Sequence, residues 1–309
     1  MCYNSARKKI IIGIAKGMQR TLLTSPKPLG QITRGKTARN RLRRVDIFVS
    51  LYAAELLRTS SSHKSWMVDL GYGAEPFTVL ESANHLGKIN PSLPILGVEI
   101  DQERVHAGLP YQNERIQFRQ GGFNVPLLAG ESIRLLRAFN VLRQYEEVDV
   151  LPAWQVMAAC MQPDGLILEG TSDPFGKRWV ANLLRVKTTP TGQKRLILEG
   201  LLFSTNFHDG FTPEMFQPVL PKNFIHHMLP GEGIYRFFDD WKSAALQQIT
   251  TQSFGLRQHF YTTALTLKNM GYPILTRKKL LRQGFLLWQL NQPICDLREG
   301  RRKGILRAT

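Results

Sequence analysis

Cysteine is scarce: Cys2, Cys160 and Cys295 stand far apart in 309 residues and are odd in number. That argues against a disulfide framework or a zinc knuckle and fits a reducing compartment. Long apolar runs are missing too. The best candidates, residues 10–14 and 285–288, fall far short of the roughly 18–20 residues that cross a bilayer, so a soluble chain is expected. Basic Arg7, Lys8, Lys9 and Lys16 are followed by no small-residue cleavage site after a long apolar region, which speaks against a secretory signal. Acid is absent altogether from residues 1–45. A basic, acid-free leader also suits an organellar import signal, so the expected location is cytoplasmic, with an organellar matrix as the alternative. His208, His226, His227 and His259 match no ligand spacing, and no metal is expected.

What charge there is sits at the ends. The first 45 residues carry +12 and residues 277–309 carry +7, which exceeds the whole chain's +17 and leaves the middle near −2. Cationic flanks of this kind bind polyanions without sequence preference, so nucleic acid is one expected partner; solvated tails or contact with anionic lipid are the plainer readings. An apolar fraction of 43% is enough to build a substantial core around the neutral middle.

Periodicity organises that middle. Residues 1–36 read as a basic irregular extension, and 37–63 as an N-terminal helical segment, with Leu42, Val45, Phe48, Val49, Tyr52 and Leu56 at helical spacing and Arg41, Arg43 and Arg44 on its polar face. Residues 64–204 alternate short apolar runs with helical stretches, the pattern of a mostly parallel sheet covered on both faces. Two extended runs, 179–186 and 195–203, flank a turn-rich Thr188-Thr189-Pro190-Thr191-Gly192 and predict an antiparallel hairpin at the sheet edge. Residues 205–276 read as a helical substrate or lid region, and 277–309 as a basic C-terminal tail.

The chemistry-bearing feature is the turn Asp69-Leu70-Gly71-Tyr72-Gly73, placed at the carboxyl end of the first strand of the core. Glycines 71 and 73 permit a tight turn and close backbone approach to a ligand, and open parallel sheets bind ligands at that end. A simple strand-to-helix turn would look similar. Glu99, at the end of the next strand, is placed to accept both hydroxyls of a ribose, whereas Asp101 suits the N-cap of the following helix.

Over residues 64 to about 203 the sequence resembles the class I S-adenosylmethionine-dependent methyltransferases. Asp69, Gly71 and Gly73 match the first motif, Glu99 the second-strand acid, and Pro163-Asp164-Gly165 the turn into the fifth strand. More narrowly, Arg41-Leu42-Arg43-Arg44-Val45-Asp46, the Asp-Leu-Gly-Tyr-Gly turn, Gly121-Gly122-Phe123 and Asn140-Val141-Leu142-Arg143-Gln144-Tyr145 resemble a bacterial group of methyltransferase-like proteins. The resemblance implies a Rossmann-like α/β fold, a mostly parallel seven-stranded sheet with an antiparallel edge hairpin. It also implies S-adenosylmethionine as cofactor. Glu75 replaces the third glycine of the motif, and Gly122 stands where many relatives carry the acid that contacts adenine.

Carried over residue by residue, Asp69 orders the methionine end of the cofactor, Gly71 and Gly73 let the loop approach it, and Gly122 and Phe123 border the adenine, which backbone groups, packing by Phe123 or Asn124 would recognise in place of the acid. Tyr72 either covers the cofactor or packs under the loop. Asn140 orients the acceptor and borders the cofactor, or serves the turn; Tyr145 is the second catalytic candidate and Arg143 a substrate contact or a solvated cation. Methyl transfer from a sulfonium needs alignment and exclusion of water more than a base. Two rivals remain: a noncatalytic nucleic-acid-binding protein on the same fold, and a dinucleotide oxidoreductase, which shares the glycine turn and second-strand acid.

Overall fold

The computed structural model describes residues 27–33, 37–58 and 64–296. Eight strands form one sheet in the order β3-β2-β1-β4-β5-β6-β7-β8. They are β1 (Lys64–Leu70), β2 (Ile95–Glu99), β3 (Ile116–Gln120), β4 (Glu131–Phe139), β5 (Met161–Ser172), β6 (Arg178–Thr188), β7 (Lys194–Thr205) and β8 (Phe285–Asp296). Strands β3, β2, β1, β4 and β5 are parallel, and β5 to β8 run antiparallel to their neighbours. The helices are α1 (Arg43–Tyr52), α2 (Ala54–Arg58), α3 (Phe77–Gly87), α4 (Gln102–Gly108), α5 (Val150–Ala159), α6 (Lys222–Ile225), α7 (Gly233–Gln247), α8 (Leu256–Asn269) and α9 (Lys278–Arg282).

Burial on both faces explains why β1 is apolar almost throughout: after Lys64 every residue of the strand is buried. One face carries Met67, Ile95, Leu135 and Trp179 against Val45 and Phe48 of α1 and Val79 and Ala83 of α3. The opposite face carries Trp66, Val68 and Leu136 against Leu151, Trp154 and Met157 of α5. Farther along that second face, α7 and α8 close over β6 to β8 through an aromatic cluster in which Phe237 stacks on Trp288 at 4.3 Å. Phe203 and Phe211 belong to this cluster, Phe207 packs against it, and Trp179 lies in the core of the first face, so these aromatics are packing residues.

Four expectations change. The sheet has eight strands rather than seven, and the β6–β7 hairpin is interior because β8 pairs outside it. The stretch read as a basic tail therefore contains an edge strand. Its alternation hides in a continuous apolar run, Phe285 and Leu287 entering one core while Leu286 and Trp288 enter another. The single helix expected over 40–58 is divided at Ala53, where φ is −124°. Among the described residues no helix is long and apolar enough to cross a membrane.

Several cations of the two basic flanks are absorbed by the fold. Arg44 donates to Ser204 Oγ at 3.0 Å and to the Gln283 carbonyl at 2.7 Å, and Arg41 is buried. Arg277 donates to the Leu51 carbonyl at 2.9 Å. The polyanion reading thus falls mainly on residues 1–26 and 297–309, which lie outside the described residues.

Candidate functional site

The chain enters the sheet at β1, runs outward to β2 and β3, and returns to β4 on the other side of β1. Ligands of open α/β sheets bind at such a reversal, beyond the carboxyl ends of the strands. Two clefts lie there.

The first is bordered by Gly71, Glu99, Ile100, Gly122, Phe123 and Tyr145. Gly71 has φ +69° and Gly73 φ +93°, and a Cβ added at Gly73 would lie 2.0 Å from Thr37 Oγ1, so glycine is required for the close approach. Glu99 is 1% exposed. Its Oε1 accepts from Gly73 N–H at 3.0 Å and Arg104 Nη1 at 3.1 Å, and its Oε2 from Ile100 N–H at 2.8 Å. Asp101 caps α4 by accepting from Glu103 and Arg104 N–H groups, as its position predicts.

This cleft is filled by the chain itself. Residues 27–33 cross it as a strap whose backbone pairs with the cleft wall. Leu29 N–H donates to Asn124 Oδ1 at 2.8 Å, Asn124 Nδ2 to the Lys27 carbonyl at 2.9 Å, and Phe123 N–H to the Leu29 carbonyl at 2.9 Å. Gln31 N–H donates to the Tyr145 hydroxyl, Gln144 Nε2 to the Ile32 carbonyl at 3.2 Å, and Arg104 Nη2 to the Thr33 carbonyl at 3.1 Å. Gly122 is what admits the strap: a Cβ there would meet the Leu29 carbonyl oxygen at 2.0 Å. The space left in the cleft is about 20 Å³, room for about one water molecule. Sequence reasoning placed the strap in an irregular extension, and no local signal marks it, since its partners are about a hundred residues away.

An adenosine cofactor does not fit beside the strap. Glu99 already accepts from two backbone amides and an arginine, and the space a side chain at Gly122 would need is taken by the Leu29 backbone.

Asp69 also lies elsewhere than expected. Its carboxylate accepts from Arg137 Nε at 3.0 Å, Arg137 Nη2 at 2.8 Å and Thr78 Oγ1 at 2.6 Å, all buried on the α1/α3 face of the sheet. Arg137 simultaneously donates to Asp46 Oδ1 at 2.5 Å. The two carboxylates hold the guanidinium protonated, raising its pKa further despite burial. Asp69 thus ties β1 to β4 and the helices and is absent from the lining of the cleft. An arginine within the apolar stretch Leu135-Leu136-Arg137-Ala138 and an aspartate in an apolar helix were the available signals. Tyr72 takes the packing alternative: its ring meets Phe118 edge-on at 5.5 Å and its hydroxyl donates to the Arg104 carbonyl at 2.9 Å. Burial keeps that hydroxyl protonated by pushing its pKa up.

The second cleft opens between the ends of β4 and β5 and holds about 490 Å³. Asn140, Arg143, Thr171, Ser172 and Arg178 line it. Asn140 has φ +62°, and its Oδ1 accepts from Ser172 N–H at 2.8 Å, so its carboxamide oxygen holds the turn. Arg143 is exposed and has no ion pair among the described residues. Below the cleft, on the same face of β5 as Thr171, Glu169 is buried and accepts from Asn182 Nδ2 at 2.8 Å; desolvation pushes its carboxyl up to about 7. Tyr145 borders the first cleft and Asn140 the second, so the structure separates the two catalytic candidates.

No family model and no curated protein matches this chain. Solved structures similar to part of it include human N-acetylserotonin methyltransferase in complex with SAM, at 20% identity, 42% of this chain, 36% of that one and a TM-score of 0.28. An S-adenosylmethionine dependent methyltransferase from Mesorhizobium loti matches at 17% identity, over 41% of this chain and 55% of that one, TM-score 0.29. The N-methyltransferase NodS from Bradyrhizobium japonicum WM9 matches at 15% identity, over 42% and 67%, TM-score 0.29. The chain spans about a third of the length of the first relatives matched.

Proposed function

We propose that this chain is an S-adenosylmethionine-dependent methyltransferase whose first cleft takes the cofactor when the strap is out and whose second cleft takes the methyl acceptor. The observation that carries the reading is the convergence of Gly71, Glu99, Gly122 and Phe123 on one side of the β1–β4 reversal, with an open polar cleft on the other. Glu99 has the position and chemistry to hold vicinal hydroxyls, and Gly71 and Gly73 give backbone access. Asn140 and Ser172 fix the rim against which an acceptor is aligned. Arg143 on that rim, without an ion pair among the described residues, favours an acceptor with an anionic group, a small acid or a nucleic-acid phosphate.

One reading competes on a specific observation. The strap and the Asp69–Arg137 pair also describe a noncatalytic protein that retains the fold. Transfer of labelled methyl from S-adenosylmethionine into fractionated cell extract, with and without nuclease, separates the two. Label that appears with wild type and is lost with Gly71→Val supports the enzyme, and its loss on nuclease treatment identifies a nucleic-acid acceptor. No label with the wild type or with a strap-released form supports the noncatalytic protein.

A further inference from the structure

We infer that the first cleft is a peptide-backbone site occupied in cis, and that residues 27–33 and an adenosine ligand compete for it. The inference rests on the reading of that cleft as the cofactor site, but its evidence is independent: the groups that bind the strap are cleft-wall groups. Phe123 N–H, Asn124 and the Tyr145 hydroxyl are spent on the backbone of Leu29, Lys27 and Gln31. Arg104, which neutralises Glu99, also holds Thr33 through its carbonyl at 3.1 Å and its hydroxyl at 3.1 Å. A surface tail that happened to lie nearby would leave these groups to water. Here they are paired in succession, and the wall has no side chain at Gly122, where a Cβ would block the strap backbone.

The strap is shaped for the site as well. Gly30 has φ +133°, and a Cβ there would sit 3.0 Å from both the Tyr145 hydroxyl and Ile100 Cδ1. Only glycine makes that bend without strain, and it directs Leu29 towards Asn124 and Gln31 towards Tyr145. The amide bonds on either side are therefore registered by one residue. Because a ligand binds only the fraction of molecules with the strap out, its apparent affinity is reduced by that fraction. Loosening the strap must tighten ligand binding even though no cleft contact to the ligand is improved.

The test uses the full chain and S-adenosylhomocysteine as probe, with calorimetry and hydrogen exchange on wild type, Gly30→Val, Asn124→Ala and Gly71→Val. Gly30→Val strains the strap from its own side, and Asn124→Ala removes two of its bonds from the wall. Both strap variants are expected to exchange faster at the Phe123 amide and to bind the probe at least tenfold more tightly than wild type. Adding the probe to wild type should speed exchange at the Leu29 and Gln31 amides. Equal probe affinity in wild type and both strap variants, with binding lost in Gly71→Val, overturns the competition and leaves the cofactor reading standing. Faster Phe123 exchange in the strap variants with no probe binding in any form overturns both. Unchanged Phe123 exchange in both strap variants means the strap is not held as described and overturns the inference directly.

Discussion

The two clefts flank the same strand ends and differ in what satisfies them. In the first, backbone amides, an asparagine, a tyrosine and an arginine–glutamate pair are all engaged by residues 27–33, leaving about 20 Å³. In the second, about 490 Å³ stays open, and among the described residues Arg143 has no ion pair and the buried Ser172 Oγ no hydrogen-bond partner. Polar groups cut off from water carry a cost unless something pairs with them. The comparison teaches that the chain meets this cost with its own backbone in the first cleft, while the second stays open to solvent.

The largest effect is expected where the two clefts share a foundation. Arg137 joins Asp46 of α1 and Asp69 of β1, all three nearly fully buried. Arg137→Met strands two carboxylates in the core and should cost on the order of 3–5 kcal/mol, read from the urea midpoint. In the same assay Asp69→Asn should lose less, about 1–3 kcal/mol, and should leave the probe affinity of a strap-released form within twofold. A large drop in that affinity would restore Asp69 to the cofactor site and break the distinction between support and cleft.

The next effect tests the floor of the open cleft through pH. Glu169 is raised from its ordinary 4.5 to about 7 by burial. Between those values the unfolded chain releases the proton while the folded chain keeps it, so this group's contribution to stability is full below about 4.5 and is lost as pH rises through 7. Glu169→Gln, neutral at every pH, should lose that part of the pH dependence, a difference on the order of 2–3 kcal/mol between pH 4.5 and 7.5. Parallel stability profiles for the two proteins would show that the floor does not exclude charge.

The smallest effect on stability is expected at the rim. Arg143→Ala should change unfolding free energy by less than about 0.5 kcal/mol, since the side chain is exposed. Yet it should raise KM for an anionic acceptor about tenfold while leaving cofactor binding unchanged, because it lines only the open cleft. A matching loss of cofactor affinity would mean the two clefts are not separate sites.

Much of the architecture was legible because it is carried by local pattern. The strand-to-helix alternation, the glycine turn after β1, Glu99 at the end of β2 and the Asp101 cap all follow from runs of a few residues. The edge is hidden because β8 opens with Phe285–Trp288, apolar on both faces, and is set among basic residues, so neither its period nor its surroundings announces a strand. Tyr72 and Asn140 each carried two open readings, and tertiary contacts with Phe118 and Ser172 selected the packing and turn roles.

The amino-acid sequence was sufficient for the α/β class, the mostly parallel sheet and the glycine turn after β1, since hydrophobic period and glycine placement are local properties. It was insufficient for what fills that turn's cleft. The strap meets Asn124 across 95 residues and Tyr145 across 114, and Asp69 meets Arg137 across 68. Those pairings depend on which face of the sheet a strand-end side chain enters and which distant segment is threaded past it. Only the assembled sheet brings these groups together, turning a turn that reads as a ligand site into one already occupied.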